Sequence, residues 1–338
     1  MDQRIRFCEV DGSRVAYATA GRGPVLVVDT GWVSHLEFMW QSQAYRTFFE
    51  SLAQIRTIVR FDKPGTGLSD RQRRDFSIDV EVRALESVIA SLGLRTFDVL
   101  GTSQGGLVAA LLASRHPDQV RKLILYGTWA CGRDLAPDEV KASVLALIRA
   151  HWGLGSRTLS NIFLAGEDAA AAASFAETQR IAASAEVAAE LLEASYQSDI
   201  RGILPGLRVP TLVLHRQEDR AVPFVLGREV AAHIPGAVLV PLRGMAHLPY
   251  FGDPEPLLEA IRGFLTSENQ TILPLSPRER EVVALVARGL TNREIAEVMV
   301  ISQRTAENHL QRVLNRLGLR SRVQVVAWAL EHGFTAGH

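Results

Sequence analysis

The sequence predicts an α/β domain with a mostly parallel sheet and a helical insertion, followed by a smaller domain of four helices. Three observations support this prediction. Short β-branched segments alternate with segments of helical periodicity over most of the chain. Between about residues 135 and 200 the strand signals stop and the sequence becomes Ala-rich and helix-forming. Beyond a polar stretch near residue 270, helix starts follow one another in close succession.

Length and composition agree with two domains. The chain has 338 residues, which is too long for one ordinary hydrophobic core. Hydrophobic residues make up 47% of the chain and charged residues 22%, which is typical of a globular protein and excludes extensive disorder. We predict a first domain over residues 1–267, a linker over 268–274 and a second domain over 275–338, with a helical cap at about 135–200 in the first.

The strands of the first domain are predicted from local patterns. Apolar residues alternate on both sides of Asp11-Gly12, a dipeptide that favours the turn of a β-hairpin. Six further segments are short, β-branched and bounded by Gly, Pro or Asp, which is typical of buried parallel strands. These segments are Val25–Val28, Thr57–Phe61, Phe97–Leu100, Lys122–Tyr126, Thr211–Leu214 and Val238–Val240. Stretches of helical periodicity, such as 78–92 and 106–116, are expected to cover the sheet on both faces.

Cysteine usage and the N-terminus indicate a cytoplasmic protein. Cys8 and Cys131 match neither a metal-ligand spacing nor a disulfide framework, so a reducing compartment is expected. The first ten residues carry Asp2, Arg4 and Arg6 and lack the apolar region of a signal peptide. No apolar run approaches the ~18 residues that a membrane span needs. We also expect no metal and no other cofactor, because no His, Cys and carboxylate cluster has ligand spacing.

A catalytic motif lies between the third predicted parallel strand and the following helix. Gly101-Thr102-Ser103-Gln104-Gly105 fits the pattern G-x-S-x-G, which in this context predicts a nucleophile elbow. The alternative is a small-residue turn that only packs a helix on its strand. Asp219 and His247 each follow a later predicted strand. Because the carboxyl ends of parallel strands meet at one edge of the sheet, the order Ser, Asp, His predicts a catalytic triad there.

With these motifs, residues 5–265 resemble the α/β-hydrolase family, whose members include esterases, lactonases and cofactor-free haloperoxidases. The resemblance implies that Ser103 is the nucleophile, His247 the general base and Asp219 the acid that orients His247. It also implies an oxyanion hole formed by the backbone N–H groups of Trp32 and Gln104.

Two positions depart from the family pattern. Thr30 stands where the family has a His before the Gly of the oxyanion loop, and Pro64 replaces the usual Arg of the turn D-x-R-G-x-G-x-S. Neither change removes a reacting group, so we expect a complete site whose oxyanion loop and support are shaped differently. Some plant hormone receptors have this fold and use the pocket to sense a small molecule. The motifs therefore leave both an enzyme and a sensor open.

The second domain has its own motif. Capping residues at Ser276, Thr291, Ser302 and Ser321 predict four helices, and Gly289 and Gly318 fall where helices should end. From Leu275 to Gly333 the chain resembles the DNA-binding domain of LuxR-type transcriptional regulators. The matching residues are Leu275-Ser276-Pro277-Arg278-Glu279, Glu281-Val282, Leu285, Gly289, Thr291-Asn292-Arg293-Glu294-Ile295-Ala296, Ile301-Ser302, Thr305, His309 and Leu317-Gly318.

The helix over about 303–317 is the expected recognition helix in the DNA major groove. Its apolar positions recur at helical spacing and should face the domain core: Ala306, Leu310, Val313, Leu314 and Leu317. The resemblance implies base readout by Glu307, Asn308 and Gln311 on the opposite face. Arg304 and Arg312 are expected at phosphates, with Thr305 on the same DNA-binding surface.

Charge is divided unequally between the domains. The chain as a whole is neutral, but residues 272–338 contain nine Arg and six Glu, a net charge of +3, which leaves −3 on the remainder. From the two resemblances we expect a cytoplasmic one-component transcriptional regulator, acting as a homodimer on DNA, whose hydrolase-like domain senses a small-molecule ligand. The complete triad leaves open whether this domain also hydrolyses its ligand slowly. The alternative is a serine ester or lactone hydrolase, or a perhydrolase, with an appended DNA-binding module.

Overall fold

The computed structural model of the protein describes residues 2–267, 277–317, 319 and 321–331. The chain divides into two compact units, Met1–Thr266 and Ser267–His338. The expected linker at 268–274, the helix cap at Ser276 and the helix end at Gly318 lie outside the described residues.

An eight-stranded sheet forms the centre of the first unit, in the order β1-β2-β4-β3-β5-β6-β7-β8. The strands are β1 Arg4–Val10, β2 Ser13–Gly21, β3 Val25–Asp29, β4 Thr57–Phe61, β5 Phe97–Thr102, β6 Val120–Tyr126, β7 Thr211–Arg216 and β8 Val238–Leu242. Strand β2 runs antiparallel to β1 and β4, and the remaining neighbours pair in parallel. The predicted hairpin and all six predicted central strands are present, so the α/β prediction is confirmed.

Helices cover this sheet. They are α1 Leu36–Gln41, α2 Gln43–Ala53, α3 Ile78–Ser91, α4 Gly105–Arg115, α5 Asp138–Ala150, α6 Trp152–Phe163, α7 Ala169–Ala182, α8 Ala185–Gln197, α9 Phe224–His233 and α10 Glu255–Thr266. Helices α3 and α4 pack on the central strands through a common core that includes Leu85, Leu107 and Val99. None of the helices in the described ranges is long and apolar enough to cross a membrane.

Helices α5 to α8 form the insertion between β6 and β7. Their Ala-rich sequence makes packed helices because Asp168 and Ser184 cap the starts of α7 and α8, each accepting a bond from a first-turn N–H. Small side chains such as Ala188 and Ala189 are fully buried, which allows the helices to approach closely. Their apolar cluster also includes Trp32, from the loop after β3, so this insertion packs directly on the sheet edge that carries the motifs.

The second unit contains four helices over its described residues: α11 Pro277–Ala287, α12 Asn292–Met299, α13 Gln303–Leu317 and α14 Arg322–Glu331. They share a core that includes Val282, Ile295 and Leu310. A capping box starts α12, in which the N–H of Glu294 donates to Thr291 and the N–H of Thr291 donates to Glu294. The predicted four-helix module is confirmed.

Candidate active site

Ser103 lies in a strained turn between β5 and α4. Its φ of 56° is in the left-handed region, which a residue other than Gly rarely adopts outside functional sites. Its N–H donates to the carbonyl of Tyr126 on the neighbouring strand, at 2.8 Å. A Cβ at Gly101 would lie 2.4 Å from the carbonyl oxygen of Gly105, so only glycine lets α4 pack this closely on β5. This is the strand-turn-helix context that a nucleophile elbow needs.

The structure brings Asp219 and His247 together at the same edge of the sheet. Asp219 follows β7 and His247 follows β8, and Oδ2 of Asp219 lies 2.8 Å from Nδ1 of His247. The other carboxylate oxygen accepts the N–H groups of Ala221 and Val222, at 2.8 and 3.0 Å. Burial acts to raise the pKa of Asp219, but the His247 ring and the N–H of Val222 outweigh it, so this pKa lies below its ordinary value. Asp219 is therefore an ionised acceptor at neutral pH.

This contact fixes the tautomer of His247. An ionised carboxylate can only accept, so Nδ1 carries the proton and Nε2 carries the lone pair of a neutral ring. The Nε2 atom is buried and, within the described part of the chain, has no hydrogen-bond partner, the hydroxyl of Ser103 included. A buried acceptor without a partner is rare in folded proteins, and here it is the atom that a general base would use.

Two contacts that the sequence analysis missed hold the His247 backbone. Its N–H donates to the carbonyl of Phe163 in the insertion at 2.6 Å, and the two rings lie 5.5 Å apart. The buried guanidinium of Arg216 donates to the carbonyls of Ala246, at 2.6 Å, and Leu248, at 3.3 Å, on either side of His247. A charged residue at the end of a buried strand was the signal that would have pointed to Arg216.

A second histidine lies near Asp219. His215 is fully buried, and its Nε2 lies 2.9 Å from the carbonyl of Val222 and 3.8 Å from Oδ2 of Asp219. Burial lowers the pKa of His215, so the ring is neutral near pH 7 and the longer contact is not an ion pair. Because a carbonyl only accepts, Nε2 is protonated and His215 holds the loop that contains Asp219.

The loop after β3 passes directly against the elbow. A Cβ placed at Gly31 would lie 3.1 Å from the carbonyl of Thr102 and 3.5 Å from Cβ of Ser103. Over the described residues, the backbone N–H groups of Trp32 and Gln104 have no protein acceptor. The indole of Trp32 points into the insertion, where its Nε1 donates to the carbonyl of Ala188 at 3.1 Å. The loop therefore lies against Ser103, and the two residues expected to form the oxyanion hole, Trp32 and Gln104, directly follow Gly31 and Ser103 in the chain.

A cavity of about 350 Å³ lies in the first unit, and Ser103, Asp219 and His247 are not among the residues that line it. Aromatic side chains from three parts of the first unit line it: Tyr45, Phe175, Tyr250 and Phe251. The ring of Phe175 lies 6.2 Å from that of Phe163, which in turn contacts His247. Among the described residues, no three His, Cys, Asp or Glu side chains are grouped so that they would hold a metal ion.

The second unit presents a polar surface on α13. Ala306, Leu310 and Val313 are buried, as their spacing predicts. The side chains of Arg304, Glu307, Asn308, Gln311 and Arg312 are exposed. Thr305 is half-buried, and its hydroxyl lies 2.7 Å from that of Ser302 at the helix start. The expected base-reading and phosphate-contacting residues thus lie on the face of α13 that the core leaves free.

Comparison with known proteins gives the class of each unit. Residues 24–150 match the family described as alpha/beta hydrolase fold. Residues 273–329 match bacterial regulatory proteins of the luxR family. A pimeloyl-[acyl-carrier protein] methyl ester esterase of Xanthomonas oryzae pv. oryzae is 30% identical over 260 residues, which is 73% of this chain and 97% of that protein. The chain belongs to the α/β-hydrolase fold family and carries a luxR-family DNA-binding domain at its C-terminal end.

Two further comparisons extend this result. Pyrrolizixenacetamide deacetylase of Xenorhabdus hominickii is 27% identical over 270 residues, which is 77% of this chain and 98% of that protein. The crystal structure of a bromoperoxidase from Bacillus anthracis superimposes with a TM-score of 0.71 at 18% identity, over 78% of this chain and 100% of that one. At this identity the second likeness concerns the fold alone.

Proposed function

We propose that this protein is a DNA-binding transcriptional regulator whose hydrolase-fold domain senses, and slowly hydrolyses, a small-molecule ligand with an ester or lactone group. The observation that carries the proposal is the buried Nε2 of His247, which no described residue hydrogen-bonds, in a chain that also contains a luxR-family module. The Asp219 contact leaves that atom as an acceptor, ready for a hydroxyl proton.

The chemistry follows from the roles proposed for three side chains. Ser103 Oγ attacks the carbonyl carbon of the ligand while its proton passes to Nε2 of His247. The negative charge that forms on the carbonyl oxygen is stabilised by the N–H groups of Trp32 and Gln104. His247 returns the proton to the leaving alcohol, and water then releases the acyl group from Ser103 by the same steps.

Regulation requires that the ligand bind two arrangements of the protein with different affinity. We propose that ligand occupancy changes how two copies of the second unit engage paired half-sites on DNA, with Arg304, Thr305, Glu307, Asn308, Gln311 and Arg312 at the interface. Slow cleavage by Ser103 would then reset the signal.

A Ser103→Ala variant tests this proposal, with Ser91→Ala on the exposed end of α3 as the control. We expect slow turnover of short p-nitrophenyl esters and γ-lactones by the wild type and by Ser91→Ala, and none by Ser103→Ala. An ester or lactone that alters DNA affinity should do so transiently in the wild type and persistently in Ser103→Ala. Absence of Ser103-dependent turnover would contradict the hydrolytic part, and ligand-independent DNA affinity would contradict the sensing part.

The second candidate is a serine hydrolase with an appended DNA-binding module. The relatives named as a methyl ester esterase and a deacetylase favour it, since both names describe acyl-group hydrolysis. Rapid Ser103-dependent turnover, together with no salt-sensitive binding to any selected DNA, would establish it over the regulator.

A further inference from the structure

Lys63 is a buried lysine that the proposed mechanism does not use. Its side chain is 2% exposed, and Lys63 is the second residue after β4, at the position that the family turn pattern D-x-R-G-x-G-x-S leaves open. Burying an ammonium group is costly unless partners replace its water shell. Its partners therefore indicate what the side chain does.

All three N–H groups of the Lys63 ammonium donate hydrogen bonds to other buried side chains. Nζ donates to Oδ2 of Asp29 at 2.9 Å, to Oε2 of Glu81 at 2.5 Å and to Oε1 of Gln104 at 2.7 Å. The amide nitrogen of Gln104 also donates to Oε2 of Glu81, at 2.8 Å. Both ends of the Gln104 amide are thus held.

Two of these partners, Asp29 and Gln104, belong to the two chain segments that would form the proposed oxyanion hole. Asp29 accepts the N–H of Gly31 on its other oxygen, at 3.0 Å, and Gly31 directly precedes Trp32. Gln104 directly follows Ser103. One ammonium group therefore ties together the two segments whose N–H groups, those of Trp32 and Gln104, would bind an oxyanion.

The network is balanced in charge. Arg73 adds a second cation, at 3.2 Å from Glu81, and donates to the carbonyl of Pro64 at 3.0 Å. Burial raises the pKa of Asp29, and Lys63 is the strongest influence in the opposite direction. Without Lys63, Asp29 would take up a proton more readily, and its hydrogen bond from the N–H of Gly31 would weaken.

We propose that Lys63 is a positioning residue that sets the separation of the Trp32 and Gln104 N–H groups, and so the fit of the oxyanion hole to a tetrahedral intermediate. This inference rests on the acyl-transfer function proposed for Ser103. It assigns to Lys63, with Asp29 and Glu81, the support of the oxyanion loop in a chain whose turn carries Pro64 in place of the family's Arg.

The test compares Lys63→Met with Arg56→Met in the full chain. Arg56 is also a buried cation, paired with Asp98 at 3.0 Å, but it precedes β4 whereas Lys63 follows it, so it lies at the other end of the strand. With p-nitrophenyl acetate, Lys63→Met should lower kcat by about 10- to 100-fold, because a misplaced oxyanion donor acts in the transition state, and should leave KM within about 2-fold. Arg56→Met should leave both constants near the wild-type values.

Amide hydrogen exchange supplies a readout that needs no turnover. Lys63→Met should exchange faster than Arg56→Met in the segments 29–34 and 101–107. If the wild type shows no Ser103-dependent turnover, the proposed hydrolysis fails, while exchange in these two segments still decides the role of Lys63. Unchanged exchange in both segments, or a kcat equal to that of Arg56→Met in an active protein, would overturn the inference.

A second variant covers the case in which Lys63→Met does not fold. Gln104→Leu keeps the backbone N–H of residue 104 but removes the amide that Lys63 and Glu81 hold. We expect a lower kcat at unchanged KM, with faster exchange in 101–107. Wild-type kcat and wild-type exchange in Gln104→Leu would contradict the proposal.

Discussion

At the scale of single residues, the tautomer of His247 depends on one carboxylate. Asp219 holds Nδ1–H on one oxygen and two backbone N–H groups on the other, so its orientation is fixed. If Asn replaces Asp219, its carbonyl oxygen can accept the two backbone N–H groups only when its NH₂ group faces His247. The ring would then have to accept at Nδ1, and Nε2 would carry the proton.

We therefore expect Asp219→Asn to lower the rate of Ser103-dependent ester hydrolysis by about 10³- to 10⁴-fold with little change in fold. Asp253→Asn is the matched control, because Asp253 is an exposed carboxylate whose Oδ1 accepts the N–H of Glu255 at the start of α10, at 3.2 Å. The comparison uses kcat/KM for p-nitrophenyl acetate. An Asp219→Asn protein as active as Asp253→Asn would remove Asp219 from the proposed triad.

The carboxylate of Asp219 also makes the stability of the folded protein depend on pH. The pKa of Asp219 in the folded protein lies below its ordinary value of 3.8, so the ionised form favours folding. This contribution is fully present above the ordinary value and is lost as the pH falls through the lower, folded-state pKa. The Tm difference between wild type and Asp219→Asn should therefore be constant near neutral pH and shrink as the pH falls below about 4.

At the scale of elements, the turn between α12 and α13 stores strain. Val300, the residue after α12, has φ 55° and ψ 51°, a left-handed conformation that is unfavourable for a β-branched residue, and it is 89% exposed. The bulk of Val300 thus contributes little packing to offset the backbone cost. Glycine adopts this conformation without a Cβ penalty.

Val300→Gly should stabilise the second unit by roughly 0.5–1 kcal/mol, the relief of strain exceeding the added entropy of the unfolded chain. Val298→Gly, at an exposed helical position two residues earlier, should destabilise it by about 0.5 kcal/mol. Hydrogen exchange of peptides from α12 and α13 measures both effects in the full chain. Two changes of the same sign would contradict this account of the turn.

Elements also show why the sequence predicted the strands and helices well. Each parallel strand is a short apolar run between chain-breaking residues, and caps such as Asp168, Ser184 and Thr291 act within one helical turn. Both signals depend on neighbouring residues, so they can be recognised in the sequence without knowledge of the fold. The insertion between β6 and β7 was likewise visible, because Ala-rich sequence favours a helix whatever it packs against.

At the scale of the whole molecule, net charge is divided unequally between the larger and the smaller part of the chain. The neutral total of the chain is the sum of an acidic larger part and a basic smaller one. A locally basic surface with Arg304 and Arg312 on the exposed side of α13 is what phosphate binding requires, and the net charge of the chain conceals it.

Arg304→Ala should weaken DNA binding about equally for all sequences and reduce the slope of log K against log salt by about one. Asn308→Ala should instead relax the preference at one base pair, by roughly tenfold or more. Arg14→Ala, which removes the same charge from an exposed residue of β2, is the control and should leave both quantities unchanged. Titrations of a selected operator and its single-base variants over a range of salt concentrations distinguish these results, and identical behaviour of all three variants would place the DNA-binding surface elsewhere.

The sequence by itself determined the order of strands and helices, the elbow around Ser103, the placement of Asp219 and His247 after successive strands, and the luxR-family module. These features depend on neighbouring residues and on the direction of parallel strands. Only the tertiary structure decided which buried polar groups meet. Lys63 donates hydrogen bonds to Asp29, Glu81 and Gln104. Arg216 donates to the carbonyls on either side of His247, and the ring of Phe163 in the insertion lies against the His247 ring. The partners in each contact lie far apart in the chain, and a buried charge has no preferred partner until the fold removes the water that would otherwise solvate it.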